Sequence, residues 1–258
     1  MWFRRDLRLN DHPALAAACA EGEVLPLFVM DPTFAECGAR RSQMLSACLA
    51  NLNAAAGGAL VVRTGDPADV VPALAASVQA STVFVTKDFG PYGRARDARV
   101  ADALRASGRR LRGVGSNYVA EPGTVVKDDG TSYSVFTPFS RRWLSAGIAA
   151  PIAPPSAVDW IAAQSDAQPA AGDPSLLAAV ERWHEFRRHS LADYATQRDL
   201  PAVDGTSRLS AAIKFGVVHP RELLADLDES IDGHRVFRSE LAWRDFYADV
   251  LYRAPQSA

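Results

Sequence analysis

TVFVTKDFGPYGRARDARVADALRASGRRLRGV, residues 82–114, is the stretch that decides the fold. It opens on TVFVTK (82–87), a short apolar run rich in β-branched residues, which reads as a buried strand. PYGRARDARVADALRASG comes next with a helical pattern that stops at Gly108. RRLRGV (109–114) is then a second strand. Strand, helix and strand in succession argue for a parallel sheet covered by helices on both faces.

The same alternation extends toward the N-terminus. VLPLFVM (24–30) and ALVVRT (59–64) read as strands, and MWF as the tail of a first one. Between them lie three helical patterns. NDHPALAAACA takes Asn10 or Asp11 as cap and Pro13 in its first turn. RRSQMLSACLANLNAAAGG stops at Gly57-Gly58, and DPADVVPALAAS opens on Asp66 and Pro67. Ligands of such sheets bind beyond the carboxyl ends of the strands. Neither a G-x-G-x-x-G nor a P-loop comes after any strand, so dinucleotide and nucleoside-triphosphate binding have no motif here.

From Ser145 to Pro174 the sequence turns rich in Ala and Pro, which reads as an irregular linker with one short turn around Trp160. Only helical patterns come after it. SLLAAVERWHEFRRHSLADYATQRD spaces Leu176, Leu177, Val180, Trp183, Phe186 and Leu191 near the helical period. SRLSAAIKFG closes at Gly216, HPRELLADLDES forms another short helix, and RSELAWRDFYADVLYR (238–253) is the last.

With 258 residues, 48% hydrophobic and 22% charged, the composition is that of a soluble globular protein. A net charge of -2 gives no bulk support to nucleic-acid binding, which would need a local basic patch. Three cysteines, Cys19, Cys37 and Cys48, with no CxxC, indicate a reducing compartment and no disulfide framework. The five histidines are scattered and show no metal-ligand spacing. No apolar run approaches the length of a membrane span, and the expected location is the cytoplasm.

Two segments carry candidate chemistry. In the last helix Glu240, Trp243, Arg244 and Tyr247 recur at i, i+3, i+4, i+7 and share one face, while Leu241, Ala242, Phe246 and Val250 make an apolar stripe. On spacing alone, a solvated face with one half-buried Trp is the commoner origin of such a pattern. In DLPAVDGTSRLSAAIKFG (199–216), Gly205 permits an unusual backbone angle, and Thr206, Ser207 and Ser210 bring hydroxyls to a helix start. Free amides there favour an anion, and Arg208 suits a bidentate phosphate contact. Plain capping, worth about 1 kcal/mol, with Arg208 facing water is the competing reading.

Four motifs in order, WFRRDLRLNDHPAL at the start, YSVFTPFSRRW (133–143), YATQRDLPAVDGTSRLSAAIKFG (194–216) and ELAWRDFY (240–247), resemble the photolyase/cryptochrome family. The third is most similar to bacterial cyclobutane-dimer photolyases. The resemblance implies a Rossmann-like parallel-sheet antenna domain (1–130), an interdomain linker (131–175) and the first part of an all-helical FAD-binding domain (176–258). It implies that Tyr194, Thr206, Ser207, Arg208, Leu209, Ser210 and Arg244 hold FAD. Glu240 and Trp243, with Arg244 and Tyr247 beside them, would face a flipped-out pyrimidine dimer in DNA, Trp243 by stacking and Glu240 by hydrogen bonding the polar base edge. The implied reaction is light-driven electron transfer from reduced FAD to the dimer, the activity of a deoxyribodipyrimidine photo-lyase. A cryptochrome-like light sensor signalling through a partner, and a non-catalytic remnant, are the alternatives.

The sequence departs from the family pattern in two places. The flavin domain is only half covered, so helices from residue 176 onward are expected to expose apolar faces and to self-associate, where a complete chain would be a monomer. Folate-binding relatives carry an Asn-Glu pair before RARD, where this sequence has Tyr92 and Gly93. A deazaflavin antenna, or none, therefore stands beside folate. Arg4, Arg5, Asp6 and Arg8 are expected to form a structural ion-pair cluster at the antenna end, and Arg141 and Arg142 are candidate phosphate contacts.

Overall fold

A computed structural model describes residues 1–167, 169 and 178–257. Five strands, β1 (Trp2–Phe3), β2 (Leu27–Met30), β3 (Val61–Thr64), β4 (Thr82–Lys87) and β5 (Arg110–Ser116), all pair in parallel. β1, β2 and β3 form one ladder and β4 with β5 another, with β1 running beside β4, so the strand order is 3-2-1-4-5. Helices α1 (Pro13–Cys19), α2 (Ala39–Ala55), α3 (Pro67–Ser77) and α4 (Pro91–Ala106) connect them. The strands are apolar on both sides because both sides are covered. Phe3, Phe28 and Val62 pack with Leu15, Leu49 and Leu52 of α1 and α2. Trp2, Val61 and Val85 pack with Val71, Leu74, Val100 and Leu104 of α3 and α4.

Local chemistry sets the helix ends. The Asp66 carboxylate caps α3 by accepting from the Ala68 amide at 2.9 Å, with Pro67 behind it. The α1 cap differs from expectation. His12, and neither Asn10 nor Asp11, fills it, its Nδ1 accepting from the Leu15 amide at 3.2 Å. Asp11 is turned to φ 43° and drawn into ion pairs with the second half of the chain.

Among the described residues that half contains α5 (Phe136–Ser145), α6 (Ala179–His189), α7 (Tyr194–Gln197), α8 (Ser210–Phe215), α9 (Pro220–Ala225) and α10 (Asp232–Arg253). Its core gathers Phe139, Trp143, Trp183, Phe186, Leu223, Phe237, Leu241 and Phe246. α5 lies inside the span 131–175 expected as linker, yet Phe139 and Trp143, one turn apart, are buried among the helices. The linker character begins only after α5. There the expected turn at Trp160 is a parallel bridge to Val24, ahead of β2: Val24 donates to the Asp159 carbonyl and Ile161 to the Val24 carbonyl, both at 2.9 Å. Leu176 and Leu177 lie outside the described residues, and Val180 is exposed. The apolar faces expected to lack partners are largely buried against one another, with Tyr247, Leu200 and Val203 among the exceptions.

The two halves meet through the segment after β1. The Leu7 amide donates to the Phe215 carbonyl at 3.1 Å. Arg8, buried, donates to the carbonyls of Gly216 (3.0 Å) and Asp11 (2.9 Å). Gly216 ends α8 at φ 69°, and a Cβ there would lie 2.0 Å from the Arg5 carbonyl oxygen. Glycine is required both by the left-handed turn and by this approach. Gly216→Ala is expected to cost about 3 kcal/mol or more, because the Arg5 backbone cannot yield without unseating Arg8. Urea unfolding monitored by circular dichroism checks this, and a loss below about 1 kcal/mol would mean that the junction is soft.

Candidate functional site

α10 presents two faces. Leu241, Ala242 and Phe246 point into the helical core, and Glu240, Trp243, Arg244 and Tyr247 lie on the other side, as their spacing requires. Each of the four is engaged differently. Glu240 accepts from Arg198 at 2.5 Å, and the Arg198 guanidinium lies 5.6 Å from the centre of the Tyr194 ring. The Glu240 hydrogen bond raises the Arg198 pKa. Trp243 stacks on Phe136 with ring centres 3.7 Å apart at 9°, and on Tyr247 at 5.4 Å and 24°. Phe136 therefore already occupies one face of the indole expected to stack on a base. Tyr247 is 63% exposed. Arg244 donates to the Asn117 carbonyl at 2.8 Å and lies 4.4 Å from the Tyr118 ring centre.

α7 joins this face to the second candidate segment. Tyr194 packs edge-on against Phe237 of α10, at 5.4 Å, and Phe186 of α6, at 5.8 Å. Gly205 is needed for proximity and not for a positive φ: a Cβ there would lie 2.5 Å from the Gln197 Cβ at the end of α7. The left-handed residue is Arg208, at φ 51°. Thr206 and Ser207 precede the helix, since α8 begins at Ser210 with Leu209 as its cap position, and the Leu209 amide donates to the Ser207 hydroxyl at 3.5 Å. The Leu209 side chain is buried in the core, so only its backbone can face a ligand. Thr206 and Ser210 are exposed, and Arg208 faces water in an ion pair with Asp204 at 2.8 Å. Hydroxyls, a guanidinium and the backbone amides at the start of α8 are a donor set that would suit the phosphates of FAD.

The antenna end lies beyond the carboxyl ends of β1 and β4. Asp6 is fully buried. Burial alone would raise its carboxyl, but His12 Nε2 at 3.1 Å, the Thr86 hydroxyl at 2.6 Å and the Arg4 amide at 2.6 Å hold it below its usual range. Arg4 pairs with Asp97, and Arg5 with Asp88 at 3.0 Å, so this group is a structural cluster. Lys214 of α8 reaches the same crevice, where burial and then Arg5 lower its pKa. At the position of the folate-binding pair, the Tyr92 hydroxyl donates to Asp31. A Cβ on Gly93 would lie 2.2 Å from the Asp88 carboxyl carbon. No side chain fits at residue 93 while Asp88 holds Arg5 and Arg96. Arg142 lies 3.5 Å from Asp128, and Arg141 is exposed on α5. Among the described residues no group of three or more His, Cys, Asp or Glu is placed to hold a metal ion, and no helix is long and apolar enough to cross a membrane.

Several residues that build the candidate site lie outside the set that sequence spacing marks. Arg198 stands one helical turn after Tyr194, a spacing that would have suggested it. Asp245 and Asp249 are buried on the core side of α10. Asp245 accepts from the Ala120 amide (2.8 Å) and the Trp143 indole (3.0 Å), and Asp249 from the Gly123 amide (2.6 Å). Two carboxylates one turn apart within an apolar stripe were the available signal. Burial pushes the Asp245 carboxyl up to about 6, against the Ala120 amide and Arg244. Its folded pKa exceeds the unfolded one, so it contributes most when protonated, and stability is lost as pH rises from about 4 through 6. Asp245→Asn removes that titration. The stability of the variant relative to wild type should therefore climb between pH 4 and 6, and a flat difference would show that the carboxyl titrates normally.

The sequence of residues 1–157 matches the DNA photolyase family profile. The deoxyribodipyrimidine photo-lyase of Synechococcus sp. is 35% identical over 297 residues, an alignment covering 100% of this chain and 61% of the relative. A bacterial class III photolyase from Agrobacterium tumefaciens superposes with a TM-score of 0.87 at 27% identity, covering 99% of this chain and 59% of that one. The fold is shared too by a Synechocystis sp. PCC6803 cryptochrome, with a TM-score of 0.84 at 22% identity, covering 97% of this chain and 60% of the other. The chain thus spans about three fifths of the length of these relatives. On sequence and on architecture alike, it belongs to the DNA photolyase family.

Proposed function

We infer that this chain serves light-dependent repair of cyclobutane pyrimidine dimers in DNA, as part of a cytoplasmic flavoprotein lyase. The observation that carries the reading is the Arg198–Glu240 ion pair beneath Tyr194, which ties the proposed flavin segment to the proposed dimer-binding face. Reduced FAD, when bound and excited by light, supplies the electron that opens the cyclobutane ring. The residues of this chain position and polarise. Tyr194, Thr206, Ser207, Ser210 and the backbone at Leu209 hold the flavin from one side, with Arg208 on its phosphates once released from Asp204. Glu240, exchanging Arg198 for the dimer, hydrogen-bonds the polar edge of the bases. Trp243 and Tyr247 offer aromatic surface to the extruded bases, and Arg244 balances the negative charge delivered to them. Arg141, exposed on α5, is a candidate contact to the DNA backbone. The occupied position of Gly93 supports deazaflavin, an antenna other than folate, or no antenna.

The direct test is loss of cyclobutane dimers from ultraviolet-irradiated DNA under blue light, with reduced FAD supplied. Wild type should remove dimers, and Glu240→Gln should slow removal by about tenfold, the worth of one charged hydrogen bond. Flavin binding without dimer loss would favour the light-sensing reading, and absence of both would leave an inherited scaffold.

A further inference from the structure

The two outer edges of the sheet are finished differently. The β3 edge is covered. Val61 donates to the Pro26 carbonyl on the β2 side, so Val62 and Thr64 turn outward. There the Val62 amide donates to the Ser165 hydroxyl and the Thr64 amide to the Asp166 carboxylate, both at 2.9 Å, and the Asp166 amide donates to the Val62 carbonyl at 2.8 Å. The β5 edge has no such cover. Arg110 donates to the Ser81 carbonyl at 3.1 Å, on the β4 side, so Leu111 and Gly113 turn their amides and carbonyls outward. Among the described residues no partner meets them. Farther along, β5 is closed, since the Ser116 carbonyl is held by His219 and a Cβ on Gly115 would lie 3.1 Å from Pro13. The open stretch is therefore 110–113.

The two faces beside this stretch differ in chemistry. Toward α4 lies a groove of about 390 Å³, lined by Val85, Leu111, Ala101, Phe89 and Tyr252. Its charged groups are already paired, Asp88 with Arg5 and Arg96, Asp97 with Arg4 and Arg96, and Lys87 with Glu121. An incoming side chain thus meets apolar surface, and Gly113 leaves the strand backbone bare beside it. Toward α1 stand the guanidiniums of Arg110, 66% exposed, and Arg112, 51% exposed. They share one carboxylate, Glu21, at 3.6 Å and 2.7 Å, which leaves this face positive.

We propose that the β5 edge is a docking site for an extended segment of a partner protein in which carboxylates alternate with apolar residues. A strand added to β5 alternates its side chains in step with β5 itself. One set would then meet Arg110 and Arg112, and the other would enter the groove over Leu111 and Gly113. The same charge turns away a second copy of the chain, because antiparallel pairing of two β5 edges sets guanidinium against guanidinium. Charge complementarity thus selects an acidic partner, and the apolar groove selects alternation over a plain run of acids.

The probe is a fluorescent peptide, Glu-Val-Glu-Leu-Glu, titrated against the 258-residue chain and followed by anisotropy. It should bind saturably and slow hydrogen exchange at the Leu111 and Gly113 amides. The rearranged peptide Glu-Glu-Glu-Val-Leu should bind about tenfold more weakly, since it cannot place acids and apolar groups on opposite faces. Reversing the charge with Arg110→Glu and Arg112→Glu should weaken the first peptide by about tenfold or more and transfer preference to Lys-Val-Lys-Leu-Lys. Equal binding of the two acidic peptides, or binding that leaves the two amides unprotected, would reduce the site to unspecific charge attraction and overturn the proposal. Protection of those amides by self-association, or by duplex DNA in preference to the peptide, would assign the edge to another occupant and overturn it as well.

Discussion

A network of buried charges just after the shortest strand, β1, holds the molecule together. Asp6, Arg8, Asp11 and His12 are buried, and each is held by groups from a different part of the chain. Asp6 receives Thr86 from β4, Arg8 the end of α8, and Asp11 both Arg221 at 2.7 Å and the Ile152 amide at 3.0 Å. His219, between Arg221 and the Ser116 carbonyl at 2.9 Å, carries the network to the end of β5. Burial pulls His219 down to about 4, with the Asp11 hydrogen bond opposing, so it is neutral in the folded chain at neutral pH. Charges this deep are tolerable only when every one has a partner, and losing one partner strands another. That mutual requirement fixes the helical half against the carboxyl ends of the strands, where ligands of such sheets bind.

α10 extends the same logic to the candidate site. Its core side carries Asp245 and Asp249, which grip the amides of Ala120 and Gly123 and so hold the chain between β5 and α5. Arg244, on the other side, holds the Asn117 carbonyl of that segment. One helix thereby positions a loop with its back and presents Glu240, Trp243 and Tyr247 with its front. A rigid element with the candidate side chains on one face would suit a reaction in which a cofactor does the chemistry and the protein supplies placement.

The strands and most helix ends were legible because period, glycine stops and the Asp66-Pro67 start are local signals. Four features were not, and three of them are tertiary. Asp11 reads as a cap, but Arg221, 210 positions away, takes it, and His12 fills the vacancy. Phe139 and Trp143 sit in a stretch adjoining Ala- and Pro-rich sequence, and only their burial against α10 shows that α5 belongs to the helical core. Arg208 reads both as a phosphate ligand and as a water-facing residue, and here it pairs locally with Asp204, four residues before it. Trp243 reads as a free stacking surface, because nothing in the local sequence says that Phe136 will lie on it. The residue set on the α10 face was visible from spacing alone, while the engagement of each member required the fold.

The central claim is that α7, the loop before α8 and α10 form one wall that recognises flavin in this chain. Titration of the purified 258-residue protein with FAD, monitored by flavin fluorescence, tests it most directly. The account predicts saturable quenching that weakens when Arg208 is replaced by Ala, since the guanidinium must leave Asp204 to meet the phosphates. Quenching that never saturates, or that is unchanged in Arg208→Ala, would contradict the wall as drawn.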